Sequence, residues 1–203
     1  MKIICIGRNY ADHVRELNNP LPTVPVFFMK PESSILLNNN PFFLPDFSNE
    51  VHYEAEIVLK IIRLGKNIEP QFAQRYYQEI GIGIDFTARD LQRECQKEGN
   101  PWEIAKGFDG SAVLGKFIKK EKLPDPHAIS FQLDLNGKTV QKGNTKDMIF
   151  SFDAIIAYIS KFVTLKIGDI IYTGTPAGVG PVKINDHLVA SVEGQVLLDF
   201  RVK

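Results

Sequence analysis

A β-dominated α+β fold is predicted for this chain, in the form of a mixed roll or sandwich with short peripheral helices. Residues 51–61 alternate between apolar and polar side chains, as a half-buried strand does. Asn136-Gly137 lies between two strand candidates, and this dipeptide is the strongest short hairpin signal in the chain. The strand candidates are short and outnumber the helix candidates, which favours a roll or barrel over a doubly wound α/β sheet.

Composition and charge are those of an ordinary globular protein. The chain has 203 residues, 44% of them hydrophobic, and 24 basic residues balance 24 acidic ones. This length suits one domain covering residues 1–203. Zero net charge predicts neither a nucleic-acid partner nor an anionic membrane surface. No apolar run approaches the ~20 residues needed to cross a bilayer. Cys5 and Cys95 form no Cys-x-x-Cys motif, so a reducing cytoplasm is the expected location.

The strands are predicted from runs of apolar and β-branched residues that end at Gly, Pro or Asn. In chain order they cover residues 2–6, 26–29, 51–61, 80–84, 129–135, 138–141, 170–173, 187–192 and 195–202.

The helices are predicted from capping residues and from apolar spacing. Asn9 is a candidate cap for a helix at 10–17, and Thr87 with Asp90 forms a near capping box for a helix that ends before Gly99. Residues 70–78 and 152–162 are the other helix candidates, the last with apolar residues at 155, 156, 159 and 162.

Two carboxylates on the strand at 51–61 are candidate metal ligands. Glu54 and Glu56 point to the same face, roughly 6–7 Å apart along the strand. Two anions this close repel each other unless a positive charge lies between them, and Mg²⁺ prefers carboxylate oxygens. A solvated Glu-x-Glu on an exposed face is the simpler alternative. Asp85 follows a strand and precedes a helix, where either a ligand-binding carboxylate or an ordinary cap is expected.

A short helix carries a candidate general base. His13 and Glu16 are three residues apart, and a carboxylate beside an imidazole orients it and raises its basicity. A surface His–Glu pair is the alternative. Asn18, Asn19 and Pro20 are predicted to end this helix, so residues 9–25 are expected to form a mobile lid.

Further candidates lie after residue 85. Lys106, between Trp102 and Phe108, could polarise a carbonyl or pair with a substrate carboxylate, or it could be a surface lysine. Residues 174–180 are rich in glycine but lack the Gly-Lys of a phosphate-binding loop. Their backbone amides and the Thr175 hydroxyl could hold a carboxylate.

Taken together, these motifs resemble the fumarylacetoacetate hydrolase family. The matching stretches extend from residue 7 to residue 180 in the family's order. They are Gly7-Arg8-Asn9-Tyr10, Asp12-His13, Met29-Lys30-Pro31, Glu54-Ala55-Glu56-Ile57, and the stretches at 83–92, 101–109 and 168–180. The length is similar to that of the family's short acylpyruvate hydrolases and oxaloacetate decarboxylases.

The resemblance implies a family-type β-roll, a homodimer, and Mg²⁺ or Mn²⁺ held by Glu54, Glu56 and Asp85. It implies that His13 and Glu16 form the catalytic pair, with Lys106 also in the catalytic site. The residues that it implies for substrate binding are Arg8, Gln92, Gly174 and Thr175.

The implied reaction begins from a small 2-oxo acid whose enolate the metal stabilises. Hydrolysis of a C–C bond in an acylpyruvate, with water activated by His13 and Glu16, is the favoured expectation. Decarboxylation of oxaloacetate, or tautomerisation of an enol-pyruvate, is the alternative. A binding module without turnover is disfavoured, because binding alone needs neither a base nor a residue that orients it.

Overall fold

The computed structural model describes residues 1–17 and 20–203. The predicted helix end at Asn18 and Asn19 therefore lies outside the described residues. The helices are α1 (Ala11–Glu16), α2 (Pro70–Ala73), α3 (Arg89–Glu98), α4 (Glu103–Lys106) and α5 (Phe152–Ser160). The strands are β1 (Ile3–Gly7), β2 (Val26–Lys30), β3 (Ile35–Leu36), β4 (Val51–Tyr53), β5 (Ala55–Ile61), β6 (Tyr77–Asp85), β7 (Thr87–Ala88), β8 (Ala112–Lys119), β9 (Ser130–Leu135), β10 (Lys138–Asn144), β11 (Ile170–Tyr172), β12 (Gly180–Pro181), β13 (His187–Val192) and β14 (Gln195–Arg201).

Within the described ranges the strands build one large mixed sheet and two smaller sheets. The large sheet has the order β2-β1-β11-β5-β6-β8-β3, and its β1–β11 and β3–β8 pairs are parallel. The smaller sheets have the orders β10-β9-β13-β14 and β12-β4-β7. The prediction of a β-dominated α+β fold is therefore confirmed. No described helix is long and apolar enough to cross a membrane.

The large sheet is covered on both faces, which explains one departure from the predicted pattern. Ile57 and Leu59 of β5 lie in the main core, whereas Val58 lies in a second cluster with Cys5 and Tyr172. In the alternating pattern of residues 51–61, Val58 falls on the same side as Glu54 and Glu56, the side predicted to be polar, yet it is fully buried. A central strand covered on both sides has no solvated face, so a polar side chain on either side must find its partners inside the protein.

The strand predicted at 51–61 is interrupted at Glu54. β4 belongs to the three-stranded sheet and β5 to the seven-stranded sheet, so the chain changes sheets at this residue. Asp85, at the end of the neighbouring strand, donates its backbone N–H to the Glu54 carbonyl over 2.8 Å. The change of sheet places Glu54 at a corner next to Asp85.

Three local predictions about the helices are wrong. Residues 77–78 belong to β6, because Tyr77 is buried against Phe152 in the core. Thr87 forms β7 with Ala88 and caps no helix. Asn9 is not a helix cap either. Its side chain accepts from the Phe150 backbone N–H over 2.7 Å and donates to the Thr173 carbonyl over 2.8 Å. It thereby anchors the start of α1 to the body of the protein.

Gly83 allows the closest packing in the large sheet, and replacing it should destabilise the fold. A Cβ at this position would lie 2.6 Å from the Val113 carbonyl oxygen and 2.7 Å from Tyr172 Cε1. The carbonyl cannot move without disturbing β8, so we expect Gly83→Ala to lower the free energy of unfolding by about 1–3 kcal/mol. Urea unfolding at equilibrium measures the change.

Gly7→Ala is the matched control. Gly7 is also a strand glycine, and its nearest neighbours would lie 4.0 Å from an added Cβ. An alanine that fits the folded structure without strain lowers the conformational entropy of the unfolded chain. The free energy of unfolding of this variant should therefore be unchanged or up to about 1 kcal/mol higher. Equal destabilisation of both variants would contradict the packing argument.

Candidate active site

Three carboxylates converge where β5 and β6 run side by side. Glu56 pairs with Gly83 across these strands, so Asp85, two residues further along β6, lies on the same face as Glu56. Glu54 joins them from the corner between β4 and β5. One carboxylate oxygen from each residue lies within 4.8 Å of the other two, and all three residues are buried.

This cluster suits a hard divalent cation. Its donors are all oxygens, and a group of three buried anions is costly without positive charge near it. Lys30 Nζ lies 2.6 Å from Asp85 Oδ1 but makes no hydrogen bond to it, so this buried oxygen retains an unused lone pair. The donor set therefore fits a cation that takes one oxygen from each carboxylate.

The compensation of charge within the cluster is unequal. Burial alone would raise the pKa of Glu54, but Lys106 and Arg89 outweigh burial and hold this pKa below its ordinary value. Burial raises the pKa of Glu56 well above its ordinary value, and the Asp85 and Glu54 carboxylates raise it further. Among the described residues, Glu56 has no cationic partner and accepts only the Gly174 backbone N–H, over 2.6 Å. Glu56 is thus the carboxylate whose negative charge is least compensated by its surroundings.

Lys106 is a buried cation that bridges two of the carboxylates. Its Nζ lies 2.8 Å from Glu54 Oε2 and 2.9 Å from Asp85 Oδ2. Burial lowers the pKa of Lys106, but Asp85 and Glu54 raise it more, so the net shift is above its ordinary value. The alternative of a surface lysine is thereby excluded. Lys106 stays protonated at neutral pH and is unsuited to act as a base.

Arg89 and Gln92 act together on α3. Arg89 Nη2 lies 2.5 Å from Glu54 Oε1, and Nη1 donates to Gln92 Oε1 over 2.6 Å. Arg89 Nε also donates to His52 Nδ1 over 3.4 Å, so His52 reaches the cluster only through Arg89. The sequence analysis missed the ion pair between Arg89 and Glu54, because the two residues are 35 positions apart.

Two further buried residues of the site were not assigned a role from the sequence. Lys30 Nζ lies beside Asp85 and donates to the Ser111 carbonyl over 2.9 Å. Gln141 accepts from the Ala55 N–H and donates to Thr175 Oγ1, each over 2.9 Å. The Met29-Lys30-Pro31 motif was an available signal for Lys30. Gln141 carries no local signal.

The structure brings His13 and Glu16 together on α1. His13 Nδ1 lies 3.0 Å from Glu16 Oε2, and His13 is buried. Glu16 Oε1 accepts the Gly178 backbone N–H over 3.0 Å. The same carboxylate therefore orients the histidine and fastens α1 to the glycine-rich loop at 174–180.

This loop is already engaged within the protein. The Gly174 N–H holds Glu56, and the Thr175 hydroxyl donates to the Ala55 carbonyl over 2.9 Å. The carboxylate that the Gly174 amide contacts in the structure is therefore that of Glu56. The side of Thr175 that faces the cavity remains available to a ligand.

All the residues predicted for the site, except Glu16 and Gly174, line one small cavity of about 40 Å³. Glu16 and Gly174 do not line the cavity themselves, but each contacts a residue that does: Glu16 contacts His13, and Gly174 contacts Glu56. The sequence analysis did not assign to the site the apolar side chains of Ile6, Leu17, Phe28 and Trp102, or the polar side chain of Gln96. Phe28 and Trp102 pack edge to face with their ring centroids 5.7 Å apart.

Comparison with known proteins shows what the chain resembles. The oxaloacetate tautomerase FAHD1, mitochondrial, of Mus musculus is 43% identical over 201 residues, which cover 99% of this chain and 91% of that protein. The crystal structure of a fumarylpyruvate hydrolase from Pseudomonas aeruginosa, in complex with Mn²⁺ and pyruvate, has a TM-score of 0.94 at 32% identity and covers 100% of this chain and 89% of its own. A fumarylacetoacetate hydrolase family protein of Yersinia pestis has a TM-score of 0.95 at 37% identity, with 100% and 93% of the chains covered.

A family model described as fumarylacetoacetate (FAA) hydrolase, C-terminal, matches residues 2–203. The match covers nearly the whole chain, and the relatives agree with it. The chain therefore belongs to the fumarylacetoacetate hydrolase family of enzymes.

Proposed function

We propose that this enzyme interconverts the keto and enol forms of a small 2-oxo acid, with oxaloacetate as the best-supported substrate. The observation that carries the proposal is the position of His13, which is oriented by Glu16 and lines the same cavity as the three carboxylates. The name of the mouse relative supports oxaloacetate.

The three carboxylates would hold the divalent cation, Mg²⁺ or Mn²⁺. Glu54, Glu56 and Asp85 offer the oxygen ligands that both ions take. When bound, the cation supplies Lewis-acid stabilisation of the negative charge that develops on the substrate. The Mn²⁺ and pyruvate in the Pseudomonas aeruginosa neighbour support this pairing of a cation with a 2-oxo acid.

His13 would move the proton. Because Nδ1 faces the Glu16 carboxylate, the neutral imidazole carries its proton there and leaves Nε2 unprotonated. Nε2 would take the proton from C3 of the keto form, and the imidazolium would return it to the enol oxygen. Glu16 stabilises the positive charge on the ring between these two transfers.

The remaining residues would bind and orient the substrate. Lys106 stays charged and can neutralise part of a substrate carboxylate or a developing oxyanion. Gln92 keeps its amide N–H groups available, because Arg89 uses only its oxygen. We propose Arg8, Gly174 and Thr175 as the other residues on the substrate-binding side.

Hydrolysis of an acylpyruvate is the second candidate function. The same His13–Glu16 pair can activate a water molecule for attack on the distal carbonyl. The Pseudomonas aeruginosa neighbour is a fumarylpyruvate hydrolase, which favours this reaction for the shared fold. Decarboxylation of oxaloacetate uses the same stabilisation of negative charge without a water nucleophile, and it belongs in the same test.

The remaining proposals concern the whole molecule. We retain a single domain at 1–203 and a lid at 9–25, of which Asn9 would be the fixed end because Phe150 and Thr173 hold its side chain. The homodimer stays a proposal that rests on the family resemblance. The cytoplasmic location also stays a proposal, supported by two free, buried cysteines, whereas the mouse relative is named as mitochondrial.

A substrate panel tests the proposed function. We expect purified protein with Mg²⁺ to accelerate oxaloacetate tautomerisation, followed by the absorbance of the enol, and to lose this activity in EDTA. Acetylpyruvate hydrolysis and oxaloacetate decarboxylation are assayed on the same preparation. Faster hydrolysis of acetylpyruvate than tautomerisation of oxaloacetate would make the second candidate the function, and no turnover of either compound would reject both.

Replacing Glu56 tests the metal ligands. We expect Glu56→Gln to lower the affinity for Mg²⁺ and Mn²⁺ by at least about 10–100-fold. Loss of a residue that only hydrogen-bonds to a metal ligand typically lowers the affinity by this factor, and loss of a ligand should lower it by no less. Its fold should persist, because the change removes a buried charge that lacks a cationic partner. Isothermal titration calorimetry measures the affinity. Glu103→Gln, at an exposed position of α4, is the control, and wild-type affinity in Glu56→Gln would refute the assignment.

Replacing His13 separates the base from the metal. His13→Ala should keep its metal affinity and lower kcat by roughly 10²–10⁴-fold, which is the usual contribution of a positioned base. Glu16→Ala should lose less, because it orients the ring without reacting. The exposed His127→Ala serves as the control. A wild-type kcat in His13→Ala, measured at saturating Mg²⁺, would show that another group moves the proton.

A further inference from the structure

The cations around the cavity differ in whether their charge is already used. Arg8, Arg89 and Lys106 line it together with the three carboxylates. Arg89 is paired with Glu54, and Lys106 with Glu54 and Asp85. Within residues 1–17 and 20–203, Arg8 has neither a salt bridge nor a side-chain hydrogen bond. Arg8 is therefore the cation that can offer its full charge to a ligand.

The backbone holds Arg8 in an unusual conformation. Its φ is 61°, in the left-handed region that residues other than glycine, asparagine and aspartate rarely adopt. Such strain persists only where the surroundings enforce it, and it is common at ligand sites. Here β1 ends at Gly7 on one side, and the Asn9 side chain is fixed by Phe150 and Thr173 on the other. Arg8 is thus fixed on the body of the protein and not on the lid helix.

The surroundings of Arg8 leave its charge uncompensated. Among the described residues, the carboxylates that line the cavity are those of Glu54, Glu56 and Asp85, and Glu54 and Asp85 already have cationic partners. Apart from the two paired cations and His13, the other side chains of the wall are neutral: they are those of Gln92, Gln96, Thr175, Ile6, Leu17, Phe28 and Trp102. A half-buried guanidinium beside neutral groups attracts an anion more strongly than one in bulk water.

We propose that Arg8 pairs with the distal carboxylate of the substrate and thereby selects dicarboxylic 2-oxo acids over monocarboxylic ones. This inference rests on the proposed function, since it places the 2-oxo acid group at the metal cluster. The guanidinium can bind a carboxylate through two parallel hydrogen bonds, so it recognises the planar geometry of the group as well as its charge. An apolar acyl group would leave the same charge half-buried and unpaired, which costs affinity.

Binding of an isosteric ligand pair to the Mg²⁺-loaded protein tests the proposal. 2-Oxoglutarate and 5-methyl-2-oxohexanoate have the same 2-oxo acid group and chain length, and they differ in whether the chain ends in a carboxylate or in an isopropyl group of similar shape. We expect Arg8→Asn to weaken 2-oxoglutarate binding by about 10–100-fold, the range for hydrogen bonds to a charged group, and to change 5-methyl-2-oxohexanoate binding by less than about threefold. Asparagine tolerates the left-handed backbone, so the loop keeps its shape.

Two further variants fix the interpretation. Arg8→Lys keeps the charge but loses the paired geometry, and it should show an intermediate loss for 2-oxoglutarate. Arg63→Asn, at an exposed arginine away from the cavity, should bind both ligands as the wild type does. Equal losses for both ligands in Arg8→Asn, or no loss for either, would overturn the proposal.

Turnover separates this inference from the proposed function. Arg8→Asn should lower kcat/KM for oxaloacetate by a similar factor, and it should lower kcat/KM for acetylpyruvate, which has no distal carboxylate, by a smaller one. If the wild type turned over neither compound, the proposed function would fail, while the ligand pair would still decide whether Arg8 reads a distal carboxylate.

Discussion

Glu54, Glu56 and Asp85 place three buried negative charges close together, and the surrounding architecture serves to compensate them. Three carboxylates within 4.8 Å of one another are stable in the interior only if positive charge surrounds them. Lys106, Arg89 and Lys30 supply part of that charge from three different segments of the chain. The segments must therefore meet at this point, and the divalent cation that we propose would meet the remaining need at Glu56.

The sheet provides the geometry that brings the carboxylates together. Glu56 and Asp85 share one face of the β5–β6 pair, and Gly83, which lies on the same face, leaves room for the Tyr172 ring to pack against the sheet. Glu54 lies where the chain leaves the three-stranded sheet for the seven-stranded one. The β5–β6 register, continued by one residue, places Glu54 opposite Asp85, and the hydrogen bond from the Asp85 N–H to the Glu54 carbonyl holds the two residues together at the corner.

Helix α1 is connected to the carboxylate cluster through one short chain of contacts. Glu16 contacts both His13 and the Gly178 N–H, and the same loop reaches Glu56 through the Gly174 N–H. The position of the helix and the orientation of the imidazole therefore depend on the same hydrogen bonds. Arg8 lies just before this helix but on the fixed side of Asn9, so the roles that we propose, substrate recognition by Arg8 and proton transfer by His13, would fall to differently anchored residues.

Local sequence patterns were sufficient to predict the β-dominated fold class, the positions of most strands, the family and the identity of the candidate residues. The hairpin at Asn136-Gly137 is an example, since both residues have the positive φ that such a turn requires. Which charges meet depends on the tertiary structure. The pairing of Lys30 with Asp85, of Arg89 with Glu54, and of Gln141 with Thr175 joins residues 34 or more positions apart. Burial of both faces of β5 and the change of sheet at Glu54 also depend on strands far away in the chain, and a local pattern carries no information about them.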